Sequence, residues 1–512
     1  MDKGVPYTTT VLTSAGLVRG LVYRGVELYR GIPYGDATEG ARRFRPPRAV
    51  TPWNGARDAI SNGPRCVQPP GSVFFHEEIG TYFTGGRPDG AALAEQWDSE
   101  NCLNLNVITP GQDGRRPVMV YIHGGGFMGG SGVLTAFGDA LVSREDVVLV
   151  GINHRLNVFG YLYLGGLDAR YREANVGQLD LVLALRWVRE NIARFGGDPE
   201  NVTIFGESGG GAKISALMAM PSAQGLFRRA IVESGSALQV GSAEEGTQMA
   251  LGILGALGLG GAEIDRLQEV PATALHEALF AAGPGGGNMA MRLGPVIDGV
   301  TIPGQTWSPQ APALSAGIPM IIGNCKDEGR LFAADPALYK LDEAELRGRL
   351  EAAGMPAEEV PALLTLYRQA YPSESPADLW FRISTDRGAR WNATAQAERQ
   401  LARAQAPVYL YCFRWDTPSG GGRLKAWHTA ELPLVMGLVA HPEARELSRQ
   451  LGAAWAAFAR SGDPSQPGLP WPAYTLERRA TMVFDAAESG AVADPDGAIR
   501  EALRGRPSGG LL

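Results

Sequence analysis

The sequence predicts an α/β protein with a mostly parallel central sheet, helices on both faces and helical insertions over one end. Two unbroken apolar runs point to it, VMVYIH at residues 118–123 and VVLVGIN at 147–153. Strands apolar on both faces of the pleat suit a sheet that is covered on both sides, as parallel sheets are. The third observation is the order of the segments after residue 153, where helical patterns alternate with short β-rich runs. That alternation is what parallel crossovers require.

Taken along the chain, residues 17–22 and 26–29 read as strands around a turn, an opening hairpin. After the two apolar runs, Leu181, Leu185, Val188 and Ile192 recur at helical spacing, and Gly196-Gly197-Asp198-Pro199 stops that helix. Residues 202–205 form a short strand, 208–220 a helix, and 230–233, 320–323 and 408–413 are further strands. Two stretches differ, about 240–315 and about 335–405. They are rich in Ala, Leu, Glu and Gly with proline breaks, and they read as helical insertions within a single catalytic domain spanning 1–512.

Composition narrows the function. A net charge of −7 with no basic stripe argues against nucleic acid as a partner. No run approaches the ~20 apolar residues of a membrane span, and the first twenty residues lack the charged and apolar regions of a signal peptide. The expectation is therefore a cytoplasmic protein, or a secreted one if a leader has been removed, without a membrane partner; nothing in the sequence sets its oligomeric state. With 68 glycines and 35 prolines, about a fifth of the 512 residues, long ordered loops are expected. The four cysteines, Cys66, Cys102, Cys325 and Cys412, include no C-x-x-C pair, so neither zinc nor thioredoxin-like chemistry is supported.

The chemistry lies in Gly206-Glu207-Ser208-Gly209-Gly210, a G-x-S-x-G between a strand and a helix. A nucleophile in so sharp a turn needs small flanking residues, because side chains there would collide. The helix after the turn aims backbone N–H groups at developing negative charge. His123-Gly124-Gly125-Gly126-Phe127 comes after a strand some eighty residues earlier. Consecutive glycines let backbone N–H groups turn toward an oxyanion, so Gly125, Gly126 and Gly209 are the expected donors. Serine also needs a base and an orienting acid. Of six histidines, His428 lies C-terminal to Ser208, as the Ser–acid–His order requires; His276 and His441 have no motif around them. The acid falls in Asp327-Glu328-Gly329, at a strand's C-terminal end, where sheets of this kind collect their ligands. The residues alone leave Asp327 and Glu328 both open.

These motifs resemble the type-B carboxylesterases, the carboxylesterase/cholinesterase group, and in particular its bacterial carboxylesterases. The likeness runs through YRGIPYGDATEGARRFRPP, SENCLNLNVITP, HGGGF, INHRLNVFGYL, the long segment from NVGQLD to FGESGGG, KDEGRLF, WHTAELPLVMG and WPAYTLERRATMVFD, and it fades in the helical insertions. The resemblance implies an α/β-hydrolase fold, with Glu328 as the acid rather than Asp327. It implies ion pairs Arg43–Glu100 and Arg155–Asp180, Glu207 at the pocket floor and Ser234 supporting the His–Glu pair. Asn101 stands where the family usually has Asp, and Gly209 where many members have Ala, a change expected to free the loop. Cys66 and Cys102 match positions that secreted relatives join by a disulfide; in a reducing compartment free thiols are expected. The choline-binding tryptophan has no clear counterpart, since Trp97 is the only tryptophan of that loop.

The expected activity is hydrolysis of small carboxylic esters, short- to medium-chain or aromatic, through an acyl-enzyme on Ser208 and without metal or organic cofactor. A lipase, an amidase or carbamate hydrolase, and a non-catalytic binding member of the fold are the alternatives. Phe127, Met128 and Phe332 are candidate pocket walls, with apolar core as the alternative for each.

Overall fold

A computed structural model describes residues 7–69, 77–282, 293–403 and 405–504. His76 and the part of the first helical insertion at 283–292 lie outside the described residues. The strands, in chain order, are β1 (Val11–Leu12), β2 (Leu17–Arg19), β3 (Leu21–Tyr23), β4 (Val26–Pro33), β5 (Ala56–Asp58), β6 (Asn104–Thr109), β7 (Arg116–Ile122), β8 (Val148–Ile152), β9 (Gly197–Glu207), β10 (Arg229–Glu233), β11 (Met320–Cys325), β12 (Val408–Phe413), β13 (Ala480–Phe484) and β14 (Gly490–Ala493).

Eleven of them form one sheet in the order β14-β13-β12-β11-β10-β9-β7-β8-β6-β4-β3, and β1, β2 and β5 form a small separate sheet. The block from β13 to β8 is parallel throughout. The other pairings of the large sheet are antiparallel.

Side chains alternate between two cores. Val118, Val120 and Ile122 of β7 face a layer with Leu181, Leu185 and Val188 of helix Val176–Asn191 and Ile214 of helix Gly209–Leu217. Met119 and Tyr121 face the opposite layer, with Leu141 of helix Asp139–Glu145 and Leu451, Trp455 and Phe458 of helix Arg445–Ser461. Both pleat faces of β7 are therefore buried, which is why its sequence is an unbroken apolar run.

Three expectations change in detail. Residues 17–22 are not one strand. The chain leaves the small sheet at Gly20, where a Cβ would lie 2.5 Å from the Leu28 carbonyl oxygen, and enters the large sheet as β3. The first insertion holds helices Ala243–Ala256 and Ala272–Ala281 with a 3-10 stretch between, but residues 293–312 are irregular. In the second, helices Glu343–Ala352, Val360–Ala370 and Pro376–Thr385 enclose a separate apolar cluster. Helix Trp391–Leu401 instead sends Ala393 and Ala397 into the main core beside β11 and β12, so it belongs to the layer that covers the sheet.

The ion pairs Arg43–Glu100 and Arg155–Asp180 are present. Arg155 Nε and Nη2 donate to the two oxygens of Asp180 at 2.9 and 2.7 Å, both side chains fully buried. All four cysteines are free and buried, and Cys66 Sγ accepts from the Leu156 N–H at 3.2 Å. No single helix among the described residues is long and apolar enough to cross a membrane.

Candidate active site

Five neighbouring parallel strands, β7, β9, β10, β11 and β12, bring the site together at their C-terminal ends. Ser208 stands directly after β9 and before helix Gly209–Leu217, with φ 56° and ψ −123°, a conformation that L-residues rarely adopt. Its backbone N–H donates to the Glu233 carbonyl at 2.8 Å, which ties the turn to β10. The turn is possible because Gly210 lets the helix press on β7: a Cβ there would lie 2.0 Å from the Ile122 carbonyl oxygen. The side chain is half-buried, and its hydroxyl forms no hydrogen bond among the described residues.

The glycine loop after β7 folds over this turn. Gly125 and Gly126 both have positive φ, 84° and 59°. A Cβ on Gly124 would touch Ser208 Cβ at 3.4 Å, and one on Gly209 would lie 2.2 Å from the Gly126 carbonyl oxygen. Gly209 is thus a packing requirement. The freedom expected there is taken up by the loop backbone pressed against it. Among the described residues neither Gly125 N–H nor Gly126 N–H has a partner, and Gly209, first in its helix, has no intrahelical acceptor.

Glu328 opens the short 3-10 turn after β11 and is fully buried. Its Oε2 meets His428 Nδ1 in a short hydrogen bond. Its Oε1 accepts from Ser234 Oγ at 2.7 Å and from the Cys325 N–H at 2.8 Å, and its own N–H donates to Thr385 Oγ1 at 3.0 Å. Asp327 points elsewhere, 3.6 Å from both Lys326 and Arg330, so the geometry separates the two acids that sequence left open.

His428 Nε2 lies 3.1 Å from Glu207 Oε1, without hydrogen-bond alignment, and the imidazole does not bond to Ser208 in this structure. Burial pulls the His428 imidazole down, but Glu207 and Glu328 outweigh it and raise it to about 9. Burial in turn pushes the Glu207 carboxyl well above its usual range, with His428 opposing. Phe332 is 36 % exposed, and its ring lies 5.1 Å from the imidazole centroid. Phe127 packs edge-on against Tyr161, whereas Met128 is buried in the main core.

The other described histidines are elsewhere. His123 stacks on His154 at 4.8 Å, His276 pairs with Asn157, and His441 sits among Tyr82 and Trp415. Several residues around the site were not singled out in the sequence. Thr385 comes from the second insertion. Glu431 accepts from Cys325 Sγ at 2.8 Å and Tyr411 OH at 3.0 Å beneath the histidine. Lys213 was also legible as a lone charge in the apolar run GGGAKISALMAM. Among the described residues no cluster of His, Cys, Asp and Glu has the arrangement of a metal site.

A serine in a strained strand-to-helix turn, beside a glutamate-held imidazole on a sheet of this topology, defines the α/β-hydrolase class. The chain belongs, more narrowly, to the carboxylesterase family, whose model matches residues 7–495. It is 35% identical to the para-nitrobenzyl esterase of Bacillus subtilis (strain 168), over 96% of this chain and 98% of that protein. It is 32% identical to the phenmedipham hydrolase of Pseudarthrobacter oxydans, over 92% and 94%. Among solved structures, a carboxylesterase of Geobacillus stearothermophilus at pH 6.2 superposes with a TM-score of 0.80 at 39% identity, covering 97% of this chain and 100% of that one. The protein is a carboxylic ester hydrolase acting on small-molecule esters.

Proposed function

We propose that the protein hydrolyses short- to medium-chain or aromatic esters by two-step acyl transfer, with Ser208 as nucleophile, His428 as base and Glu328 as orienting acid. The observation that carries this reading is the bond between Glu328 Oε2 and His428 Nδ1, made beside the strained turn that holds Ser208. Nδ1 donates to the carboxylate, which leaves Nε2 free to accept a proton.

In the first step Ser208 Oγ attacks the ester carbonyl while its proton passes to His428 Nε2. The carbonyl π electrons move to oxygen, and the N–H groups of Gly125, Gly126 and Gly209 hold that oxyanion. The tetrahedral intermediate collapses by breaking the bond to the alcohol, which leaves with the proton from Nε2. Water then gives a proton to Nε2 and attacks the acyl-enzyme, and the reverse transfer restores Ser208. Ser234 supports the Glu328 side of the pair, Glu207 forms the floor beside Nε2, and Phe332 and Phe127 are the pocket walls we favour. The para-nitrobenzyl esterase relative supports an aryl-containing substrate.

The test is p-nitrophenyl ester hydrolysis from acetate to palmitate, with wild type and Ser208→Ala in parallel. Turnover on short chains that vanishes in the variant is expected. A rate that rises toward palmitate and with an interface would favour a lipase, and faster cleavage of a matched anilide would favour an amidase.

A further inference from the structure

Lys213 stands five residues after the nucleophile, on the helix that begins at the strained turn, and it is fully buried. Its Nζ donates to the His123 carbonyl at 2.8 Å and lies 5.8 Å from the centroid of the Phe127 ring. Among the described residues it has no carboxylate partner. A lone lysine in such a place is costly, and a hydrophobic residue of similar length would fill the space.

The position of its one acceptor gives a reason for it. The sheet ladder of β7 ends at Ile122, so the His123 carbonyl is the first that no strand satisfies. From there most of the loop's carbonyls are pinned from behind. Gly124 O is bonded to His123 Nδ1 at 2.9 Å, and Gly125 O accepts from Met128 and Gly129 N–H at 3.2 and 3.1 Å. Phe127 O accepts from the Asn157 N–H at 2.7 Å, and Gly130 O from Gln68 Nε2 at 2.7 Å. Every one of these anchors is backbone or neutral except the first, which is an amine reaching over from the nucleophile's own helix.

We propose that Lys213 is the positioning residue of the oxyanion loop: by holding the His123 carbonyl it fixes where the Gly125 and Gly126 N–H groups point relative to Ser208. The bond ties loop and nucleophile helix together, so the donors and the attacking oxygen keep one geometry. Both histidines beside it are kept neutral, first by burial and then by the lysine, so neither competes as a cation. Burial pulls the amine itself down to about 7, and a neutral amine still donates. The inference rests on the oxyanion reading above.

The experiment compares Lys213→Met, which fills the space without a donor, with Lys213→Gln, which keeps a donor without charge. Four quantities are read on folded protein: kcat and KM for p-nitrophenyl butyrate, the affinity of a trifluoromethyl ketone whose hemiketal places an oxyanion in the hole, and Tm. Direct loss of an oxyanion donor costs about 100- to 1,000-fold, so misaiming the loop in Lys213→Met is expected to lower kcat by roughly 10- to 100-fold. KM should stay within about twofold, inhibitor affinity should fall by the same factor as kcat, and Lys213→Gln should recover part of both. The proposal is overturned if folded Lys213→Met keeps wild-type kcat and inhibitor affinity. It is equally overturned if Met and Gln lose the same activity in step with Tm and KM, which is the signature of packing alone. Should Lys213→Met fail to fold, Lys213→Leu takes its place as the variant without a donor: unchanged kcat and inhibitor affinity overturn the proposal, and a joint fall in both at constant KM supports it. If Ser208→Ala keeps wild-type turnover, the oxyanion reading itself fails whatever the lysine variants do.

Discussion

At the scale of single residues the site is governed by contacts too close for a side chain. Gly209 is the clearest case, because a Cβ there would sit 2.2 Å from the Gly126 carbonyl oxygen. Gly209→Ala, the residue many relatives carry, is therefore expected to push the glycine loop away from Ser208. The predicted result is a fall in kcat of roughly tenfold or more together with a lowered Tm, read with p-nitrophenyl butyrate and differential scanning fluorimetry. A second prediction concerns charge. Burial lowers the His428 imidazole, while Glu207 and Glu328 raise it to about 9. As the proposed base, His428 must be neutral to act, so kcat/KM should climb with pH through that value. Glu207→Gln removes one of the two raising charges, and the acid limb should move to lower pH in a profile of kcat/KM. A limb that stays in place would show that Glu207 carries no charge beside the histidine. The serine and histidine proposed here were picked out by motif and chain order. The choice between Asp327 and Glu328 was not, because it depends on which carboxyl the turn after β11 directs inward; only the family resemblance pointed to Glu328 before the geometry separated them.

At the scale of elements, the parallel block could be read because its strands are buried on both faces. The flanks of the sheet were harder. β6 (NLNVIT) puts Asn104 and Asn106 inside, where they bond to Pro64 O and Asn62 Oδ1, so polar residues masked a buried strand. β13 and β14 escaped notice because one half-buried edge pair gives only short, mixed runs. Buried polar pairs also join elements. Asp180, on helix Val176–Asn191, holds Arg155 in the loop after β8 through both Nε and Nη2, and Arg155 Nη1 reaches on to the Arg45 carbonyl at 2.8 Å. Asp180→Asn leaves a buried guanidinium without its counter-charge. The expected cost is about 3–5 kcal/mol, visible as a lower urea midpoint at unchanged m-value.

Across the whole molecule, the insertions are structurally coupled to the site. Leu346, Leu350, Leu379, Phe381 and Ile383 share their cluster with Ile499 and Leu503 from the far end of the described chain. The same helix, Pro376–Thr385, ends at the residue that accepts from the Glu328 N–H. Phe381→Ala should cost about 3–5 kcal/mol, and because Thr385 shifts it should also lower kcat at temperatures well below the variant's own Tm. Loss of stability with kcat intact would show that Thr385 is held independently of that cluster. None of this coupling was legible in the sequence, since helical patterning identifies a helix but not the distant surface it packs on.

The glycine loop, Ser208, Ser234, Glu328 and His428 all come after the ends of adjacent parallel strands, while the crossovers between β10 and β11 and between β11 and β12 carry the two insertions. The proposed reactive groups and the pocket walls favoured for them, Phe127 and Phe332, thus share the short loops at the strand ends, while the second insertion reaches them from outside through Thr385. A library that randomises those crossovers is therefore expected to leave the proposed reactive groups in place only where it spares Thr385 and the cluster behind it.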